Sequence, residues 1–190
     1  SDAEVEHEDE DSSFWYIRYP YADGSGYVVV ATTRPETLFG DVCVAVNPED
    51  ERYAGKIGTM LKLPATNREI PLISDSYVEK DFGTGCLKVT PAHDANDYML
   101  GKTHNLQTID IFNADATLSP EAGLYVGMDR MEVRKQIVKD LAQAGLLEKV
   151  EDYDNKVGYS ERNSDTVVEP RLCKQWFLKM GHFAEIALPP

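Results

Sequence analysis

Short runs of β-branched and aromatic residues, each closed by turn-forming residues, divide this chain from residue 14 to residue 112. Residues 14–19 and 27–32 flank the turn Asp23-Gly24-Ser25-Gly26 and predict a β-hairpin. Further strands are predicted at residues 42–46, 59–63, 69–73, 87–90, 108–112, 146–150 and 156–159. A chain interrupted this often favours a fold built mainly from short strands.

One long amphipathic helix is predicted over residues 130–144, and a second helix is predicted over residues 94–104. Asp129 and Gly145 suit the start and end of the long helix. Its apolar face consists of Val133, Ile137, Val138 and Leu141. No GxGxxG or GxxxxGK[ST] loop is present, so the sequence does not support a doubly wound nucleotide-binding fold. We therefore predict an α+β fold with a barrel-like mixed or antiparallel β core and a few flanking helices.

Acidic residues dominate the charge of the chain, which has a net charge of −14 over 190 residues. This balance argues against a general DNA- or RNA-binding protein, which would present a basic face to phosphates. The acids are densest at the start, and residues 1–13 are predicted to form a solvated, disordered arm.

The cysteine count and the apolar runs indicate a cytoplasmic setting. Three cysteines (Cys43, Cys86 and Cys173) are too few for a disulfide framework and have no CxxC spacing. No apolar run approaches the roughly 20 residues that span a bilayer, so no membrane partner is expected. The acidic N-terminus does not resemble a targeting segment.

A first group of candidate site residues follows the hairpin and consists of Thr32, Thr33, Arg34 and Thr37. Hydroxyls can bond a sugar or a carbonyl oxygen, and a guanidinium can hold a phosphate. The alternative is a helix start, because Thr33 and Glu36 have the spacing of a capping box. The local pattern alone favours the helix start.

A second group lies between Phe82 and Asp97. Lys88 and Thr90 share one face of a predicted strand, since side chains of a strand repeat every two residues. Asp94 and Asp97 lie three residues apart in the helix expected to follow. Such a cluster suits the binding of an α-ammonium group and a water molecule beside an ester. Equally open is a structural alternative, in which Asp94 caps the helix and Lys88 pairs with a surface acid.

A metal-dependent alternative uses the ligand-type side chains of His93, Asp94, Asp97 and His104. The spacing fits no HExxH motif, and a lysine with two threonines suits a metal shell poorly. We therefore predict no metal and no cofactor. Cys86 lies in the same stretch, where a small packed residue is favoured over a reactive thiolate.

Two longer motifs carry a resemblance to a known family. ATTRPETLFGD (31–41) and GTGCLKVTPAHDANDY (83–98) resemble the two signatures of the editing domain of class I aminoacyl-tRNA synthetases for branched aliphatic amino acids. The KVTPAHD stretch (88–94) is most similar to the valyl members. EPRLCKQWF (169–177) resembles the segment with which those members return to their catalytic domain. HIGH-type and KMSKS-type motifs are not found, so no aminoacylation is expected from this chain.

The resemblance implies an editing domain at residues 14–162 and a segment returning toward an absent catalytic domain at residues 163–190. The implied activity is hydrolysis of the ester in threonyl-tRNA of the valine type. The implied partners are the 3′ end of that tRNA and the remainder of the synthetase. Two rivals stay open, namely an inactive module that binds aminoacyl-tRNA ends and an isoleucyl-type editing domain that removes valine.

The resemblance also implies roles for individual residues. Asp97 should hold the α-ammonium group of the substrate, and Phe82 should pack near the terminal adenine. The implied catalytic residues are Lys88, Thr90, Asp94 and Asp97, with Asp94 the candidate for reading the threonine hydroxyl. The implied residues for binding the substrate and the tRNA end are Thr32, Thr33, Arg34, Thr37, Phe82 and His93, of which Arg34 and Thr37 should contact the terminal adenosine or the amino acid.

Overall fold

The structure, a computed structural model, describes residues 5–172, 176 and 178–187, without the side chains of residues 164, 165, 185 and 186. The described strands are β1 (Val5–Pro20), β2 (Tyr27–Thr32), β3 (Cys43–Val46), β4 (Met60–Lys62), β5 (Glu69–Ser74), β6 (Cys86–Val89), β7 (Leu147–Ser160) and β8 (Asn163–Val167). The α-helices are α1 (Ala95–Thr103), α2 (Arg130–Gln143) and α3 (Gly181–Ala187), and short 3₁₀ helices occupy Pro35–Gly40, Glu51–Tyr53 and Pro120–Ala122.

The first sheet is antiparallel and has the strand order β2-β1-β7-β8. The predicted hairpin is confirmed as β1 and β2, which pair from Trp15↔Thr32 to Pro20↔Tyr27. The two strands predicted near residues 146–159 are one continuous strand, β7.

β1 begins much earlier than expected, because its first half pairs with β7 from Val5↔Ser160 onward. Residues 5–13 are therefore part of a strand, whereas the acidic composition predicted a disordered arm. Backbone groups that face β7 are satisfied in this ladder, while the acidic side chains remain exposed to solvent. Two opposite-charge or polar pairs help, since Asp9 faces Lys156 and the Tyr159 hydroxyl donates to Glu10.

The second sheet has the strand order β4-β5-β3-β6 and contains one parallel pair, β3 with β5. Its four strands confirm those predicted from residue 42 to residue 90. The strand predicted at 108–112 does not form. Ile111 is buried, but its N–H donates to the ring of His93 and its carbonyl accepts from Ser119, so the segment lies outside the sheet ladders described.

The hydrophobic core lies between the sheets and α2. Val133, Ile137 and Leu141 of α2 are buried in it, and Val138 packs at its edge, as the helical periodicity predicted. Asp129 caps this helix through its side chain, accepting from the N–H groups of Met131 and Glu132. A smaller apolar cluster lies behind β3 and β6 and includes Cys43, Val89 and Leu100.

Over the described residues the two sheets are separate ladders in a mixed α+β fold, as predicted, and they are not joined into one closed barrel. β2 and β6, an edge strand of each sheet, pack against one another. One isolated bridge, between Tyr21 and Leu61, also joins the sheets. No helix within the described part of the chain is long and apolar enough to cross a membrane.

The segment from β8 to Arg171 contacts the rest of the domain. Arg130 donates to the carbonyl of Val167 at 2.9 Å, and Arg171 pairs with Asp110 at 3.0 Å. Residues 163–171 thus fold back on the domain. Trp176 is fully exposed, at 101% of its reference area. Cys173 and the residues at 174, 175 and 177 lie outside the described residues.

Candidate active site

A cleft of about 330 Å³ opens where the ends of β2 and β6 meet the first 3₁₀ helix and the start of α1. All ten site residues predicted from the sequence line it: Thr32, Thr33, Arg34, Thr37, Phe82, Lys88, Thr90, His93, Asp94 and Asp97. The sequence did not predict the other lining residues, which are Phe14, Ala31, Tyr77, Leu87, Asn96, Tyr153 and Asn155. Two motifs some fifty residues apart in the sequence therefore share one site.

The floor of the cleft is a network around the ammonium group of Lys88, which is only 8% exposed. Its Nζ donates to Thr37 Oγ1 at 2.8 Å, to Thr90 Oγ1 at 2.6 Å and to Asp41 Oδ1 at 3.0 Å. Lys88 was expected to pair either with the substrate or with a surface acid. Its actual acidic partner, Asp41, is fully buried.

Asp41 is a functional candidate that the sequence reasoning missed. Its Oδ1 accepts from the Thr90 hydroxyl at 2.6 Å, and its Oδ2 accepts from the Tyr19 hydroxyl at 2.7 Å. Burial, followed by the charge of Asp41, raises the pKa of Tyr19 well above its usual value, which keeps this phenol a donor. Its position in the sequence could have indicated it, because Asp41 is the last residue of the first motif.

Asp97 lies beside this network on the first turn of α1. Its Oδ2 accepts from the backbone N–H of Thr90 at 2.8 Å, and the residue is 7% exposed. Burial raises the pKa of Asp97 to about 7, although Lys88 and the Thr90 N–H act in the opposite direction. A buried carboxyl with one free oxygen and a raised pKa is suited to receive a cation.

Asp94 is the N-cap of α1, so the structural alternative for this residue is confirmed. Its Oδ1 accepts from the N–H groups of Asn96 and Asp97, at 2.8 and 3.0 Å. The residue is exposed and still lines the cleft. A cap and a ligand contact are compatible, because the carboxylate has a second oxygen.

The first motif forms the 3₁₀ helix Pro35–Gly40, which is buried throughout. The predicted capping box does not form, because Glu36 points instead to α2 and binds Arg134 through both carboxylate oxygens at 2.7 and 2.9 Å. Burial alone would raise the pKa of Glu36, but Arg134 and then Arg34 hold it below its usual value. Gly40 lies so close to Thr90 that an added Cβ would meet Cγ2 at 3.0 Å.

Arg34 lines the cleft with a guanidinium that is already engaged. It donates to the carbonyl of His93 at 3.0 Å and pairs with Glu36 and Glu169. Glu169 also pairs with Arg130, so one carboxylate joins two arginines. Glu169 belongs to the segment that was predicted to leave the domain, and it was not among the predicted site residues.

His93 is buried at the back of the cleft, with 1% exposure. Its Nε2 accepts from the N–H of Ile111 at 3.1 Å, and burial lowers its pKa to about 4. The imidazole is therefore neutral near pH 7 and its Nε2 is occupied. These properties suit a packing role at the back of the site better than a role in proton transfer.

An aromatic wall closes one side of the cleft. Phe14 packs against Phe82 and Tyr153, with ring centroids 6.2 and 4.4 Å apart. Phe82 and Tyr77 remain 59% and 53% exposed. Exposed rings beside a cleft are a common means of holding an unstacked nucleobase. Phe14, Tyr77 and Phe82 also line a second pocket of about 390 Å³.

The ligand-type residues of the metal-dependent alternative do not converge. His104 Nε2 lies 2.6 Å from Asp75, and the ring of His93 bonds to the backbone of Ile111. The described residues contain no group of three or more His, Cys, Asp or Glu side chains arranged to hold a metal ion. Burial raises the pKa of the Cys86 thiol to about 11, so this cysteine is not an activated nucleophile.

Comparisons with known proteins agree with this architecture. The family model for the leucyl-tRNA synthetase editing domain matches residues 50–140. The fold is similar, with a TM-score of 0.56, to part of the LeuRS chain in the ternary complex of Agrobacterium radiobacter K84 agnB2 LeuRS-tRNA-LeuAMS. That likeness covers 78% of this chain and 20% of the other at 19% identity. In this stretch and in its fold, the chain is therefore similar to the editing domains of aminoacyl-tRNA synthetases.

Several valyl enzymes are similar to the chain over nearly its whole length. The chain is 58% identical over 190 residues to the valine–tRNA ligase of Parabacteroides distasonis and 59% identical over 192 residues to that of Bacteroides thetaiotaomicron. The ligase of Halalkalibacterium halodurans is 55% identical over 188 residues. These matches cover 99–100% of the chain but only 21–22% of each ligase. The chain thus corresponds to the editing domain of a valyl-tRNA synthetase.

Proposed function

We propose that this chain carries out post-transfer editing, hydrolysing the ester that links threonine to a tRNA specific for valine. The observation that carries the proposal is the floor of the cleft. There the buried carboxyl of Asp97 lies beside the hydroxyls of Thr37 and Thr90, and Lys88 bonds to both hydroxyls. This combination offers a site for an α-ammonium group next to polar partners for a side-chain hydroxyl.

The need for such a site follows from the similarity of the two amino acids. Threonine differs from valine by a hydroxyl in place of a methyl group. An apolar pocket rejects the added hydroxyl by only about a hundredfold, which is the known figure for valyl enzymes. An editing pocket with polar partners discriminates in the opposite sense, because valine would leave those buried partners unpaired.

In this proposal the residues have distinct roles. Asp97 binds the α-ammonium of the threonyl group, and Phe82 packs on the terminal adenine. Thr32 and Thr33 lie at the rim, where their hydroxyls can bond the ribose. Arg34 contacts the end of the tRNA only by competing with Glu169 for its guanidinium.

The chemical step is addition of water to the ester carbonyl. The bond from the carbonyl carbon to the ribose oxygen then breaks. One proton of the water passes to the ribose oxygen, the other passes to solvent, and threonine leaves as a carboxylate. Esters are activated substrates, so correct placement of water supplies much of the rate. His93 is not the proton acceptor, because its Nε2 is bonded to Ile111 and its pKa is about 4. The exposed oxygen of Asp94 is the available group for orienting water.

The test is deacylation of threonyl-tRNA and valyl-tRNA of the valine type by this chain, with and without a chelator. We expect selective loss of threonine that is insensitive to the chelator and falls at least about a hundredfold in Asp97→Ala. Asp115→Ala, on an exposed loop, is the control. Full activity of Asp97→Ala would contradict the assignment of the ammonium site. Hydrolysis that stops in the chelator would favour a metal-dependent reaction, and binding without hydrolysis would favour an inactive 3′-end module.

A further inference from the structure

The hydrogen bonds on the floor of the cleft have a definite direction. A lysine ammonium has three N–H donors and no acceptor. All three donors of Lys88 are used, since Thr37 Oγ1, Thr90 Oγ1 and Asp41 Oδ1 lie 2.6–3.0 Å from Nζ. Lys88 therefore has no donor left for a substrate.

The two threonine hydroxyls are oriented by the same network. Thr90 accepts from Lys88, so its own hydrogen is directed to Asp41 at 2.6 Å. Thr37 also accepts from Lys88, and its hydrogen is directed to the carbonyl of Arg34 at 2.9 Å. A hydroxyl has two lone pairs, so each threonine keeps one acceptor position. Both residues line the cleft and are 2% exposed.

The acceptor that fixes the direction at Lys88 and Thr90 is Asp41, which does not line the cleft. Its Oδ1 is the shared acceptor for Lys88 and Thr90, and its Oδ2 is held by the hydroxyl of Tyr19. A carboxylate can only accept. Because Asp41 and Tyr19 are both fully buried, water does not compete with these bonds.

We propose that Asp41 is a positioning residue that fixes one donor of Lys88 and the hydroxyl of Thr90. Together with the carbonyl of Arg34, which holds the hydroxyl of Thr37, it leaves the floor with only hydrogen-bond acceptors for the substrate. Together with the free oxygen of Asp97, such a floor binds groups that donate. The threonine hydroxyl satisfies it by donating to Thr37 or Thr90, and the methyl group of valine does not. Specificity for a hydroxylated side chain then originates in a residue that never touches it. This inference deepens the proposed editing function and rests on it.

The experiment compares wild type, Asp41→Asn and the matched control Asp50→Asn in two assays. Asp50 is a second buried carboxylate, bonded to Arg52 and outside the cleft. The first assay measures kcat and KM for threonyl-tRNA and valyl-tRNA of the valine type. The second measures binding of non-hydrolysable threonyl and valyl amides of adenosine. An asparagine offers a donor where aspartate can only accept, so the hydroxyl of Thr90 is no longer forced inward.

We expect Asp41→Asn to lower the threonyl-to-valyl ratio by about tenfold or more in both assays, and Asp50→Asn to leave it unchanged. If Asp41 had a merely structural role, the variant would lose activity and binding equally for the threonyl and valyl compounds. The ratio would then stay the same, which would overturn the proposal. If wild type hydrolyses neither ester but prefers the threonyl amide, and Asp41→Asn loses that preference, hydrolysis fails while the inference stands. If wild type hydrolyses threonyl-tRNA selectively and Asp41→Asn is equally selective, only the inference fails.

A second measurement does not depend on the folding of Asp41→Asn. In ¹⁵N-labelled wild type, NMR of lysine ammonium groups reports how fast their hydrogens exchange with water. Three bonds to buried acceptors should make the Lys88 ammonium exchange slowly enough to be observed, and Lys88→Arg identifies its signal by removing it. Rapid exchange at Lys88 in the folded wild type would show that a donor is free for the substrate, and the proposal would be wrong.

Discussion

Asp97 is a carboxyl group in surroundings that favour its neutral form. It is 7% exposed, and burial raises its pKa to about 7. An α-ammonium group placed beside it would favour ionisation, because an opposite charge nearby lowers the pKa of an acid. Without a ligand, the ionised carboxylate lowers the stability of the fold. Such a site is strained when empty and relieved when the cation binds.

This gives a prediction for the pH dependence of stability. In the unfolded chain Asp97 loses its proton near pH 3.9, whereas in the folded chain it loses it near pH 7. The free energy of unfolding contributed by this group is therefore intact below about pH 4 and falls as the pH rises to about 7. The free energy of unfolding of Asp97→Asn, relative to that of wild type, should rise by roughly 2–4 kcal/mol over this pH range. Urea unfolding of both proteins at pH 4, 5.5 and 7.5 measures the difference, and a constant difference would contradict the raised pKa.

The sequence predicted the meeting of Lys88, Thr90 and Asp97 because their spacing is local. Strand periodicity and the first turn of a helix place them together whatever the rest of the fold does. Asp41 could not be found in this way. Its partnership with Lys88 depends on how the end of the 3₁₀ helix packs beside β6, which is a contact across 47 residues of sequence.

The 3₁₀ helix Pro35–Gly40 is held from one side by the floor network and from the other by α2. The connection to α2 is the bidentate pair of Glu36 and Arg134. Glu36 is fully buried, so its charge depends on this partner, with Arg34 as a weaker second one at 3.3 Å. α2 therefore stabilises the element that presents Thr37 to the cleft.

Removing the partner should expose that dependence. We expect Arg134→Met, which retains an apolar stem, to lower the free energy of unfolding by roughly 2–4 kcal/mol, because the buried carboxylate of Glu36 loses its main counter-ion. The double variant Glu36→Gln/Arg134→Met should regain part of the loss, since no unpaired charge remains. Denaturant unfolding of wild type, both single variants and the double variant completes the cycle. Additive losses would show that the pair is not coupled.

Some elements follow from the sequence and others do not. The hairpin and α2 were predicted because turn residues, caps and apolar periodicity agree within each segment. The acidic half of β1 was missed because charge and propensity disfavour a strand there, and pairing with β7 overrides both. The strand predicted at 108–112 failed for the opposite reason. Its residues suit a strand, but Ile111 bonds to His93 and Ser119.

At the scale of the whole molecule, the order of strands in the two sheets was beyond local patterns. Strands β3 and β5 are parallel neighbours although β4 lies between them in sequence. The residues of one strand do not specify such a crossover. The sequence therefore predicted a barrel-like core without predicting which strands pair. The fold class, by contrast, follows from the number of strand-like runs and the scarcity of helices.

The overall charge leads to a prediction about tRNA. The net charge is −14, and three arginines near the cleft, Arg34, Arg130 and Arg134, are already paired with acids. We expect this chain to bind tRNA of the valine type with a Kd of about 1 µM or weaker, and more weakly as salt rises. Fluorescence anisotropy from low to physiological salt tests this. Nanomolar binding at physiological salt would require a phosphate-binding surface that the charge distribution does not provide.

The carboxylate of Glu169 is shared by Arg34 in the cleft and Arg130 on α2, and Arg130 also holds the backbone at Val167. Binding of an anion at Arg34 and attachment of the chain after β8 are consequently coupled, because both depend on the ion pairs of Glu169. A ligand that displaces Glu169 must loosen that attachment. By thermodynamic reciprocity, a force that detaches the segment must change the affinity of the ligand by the same factor.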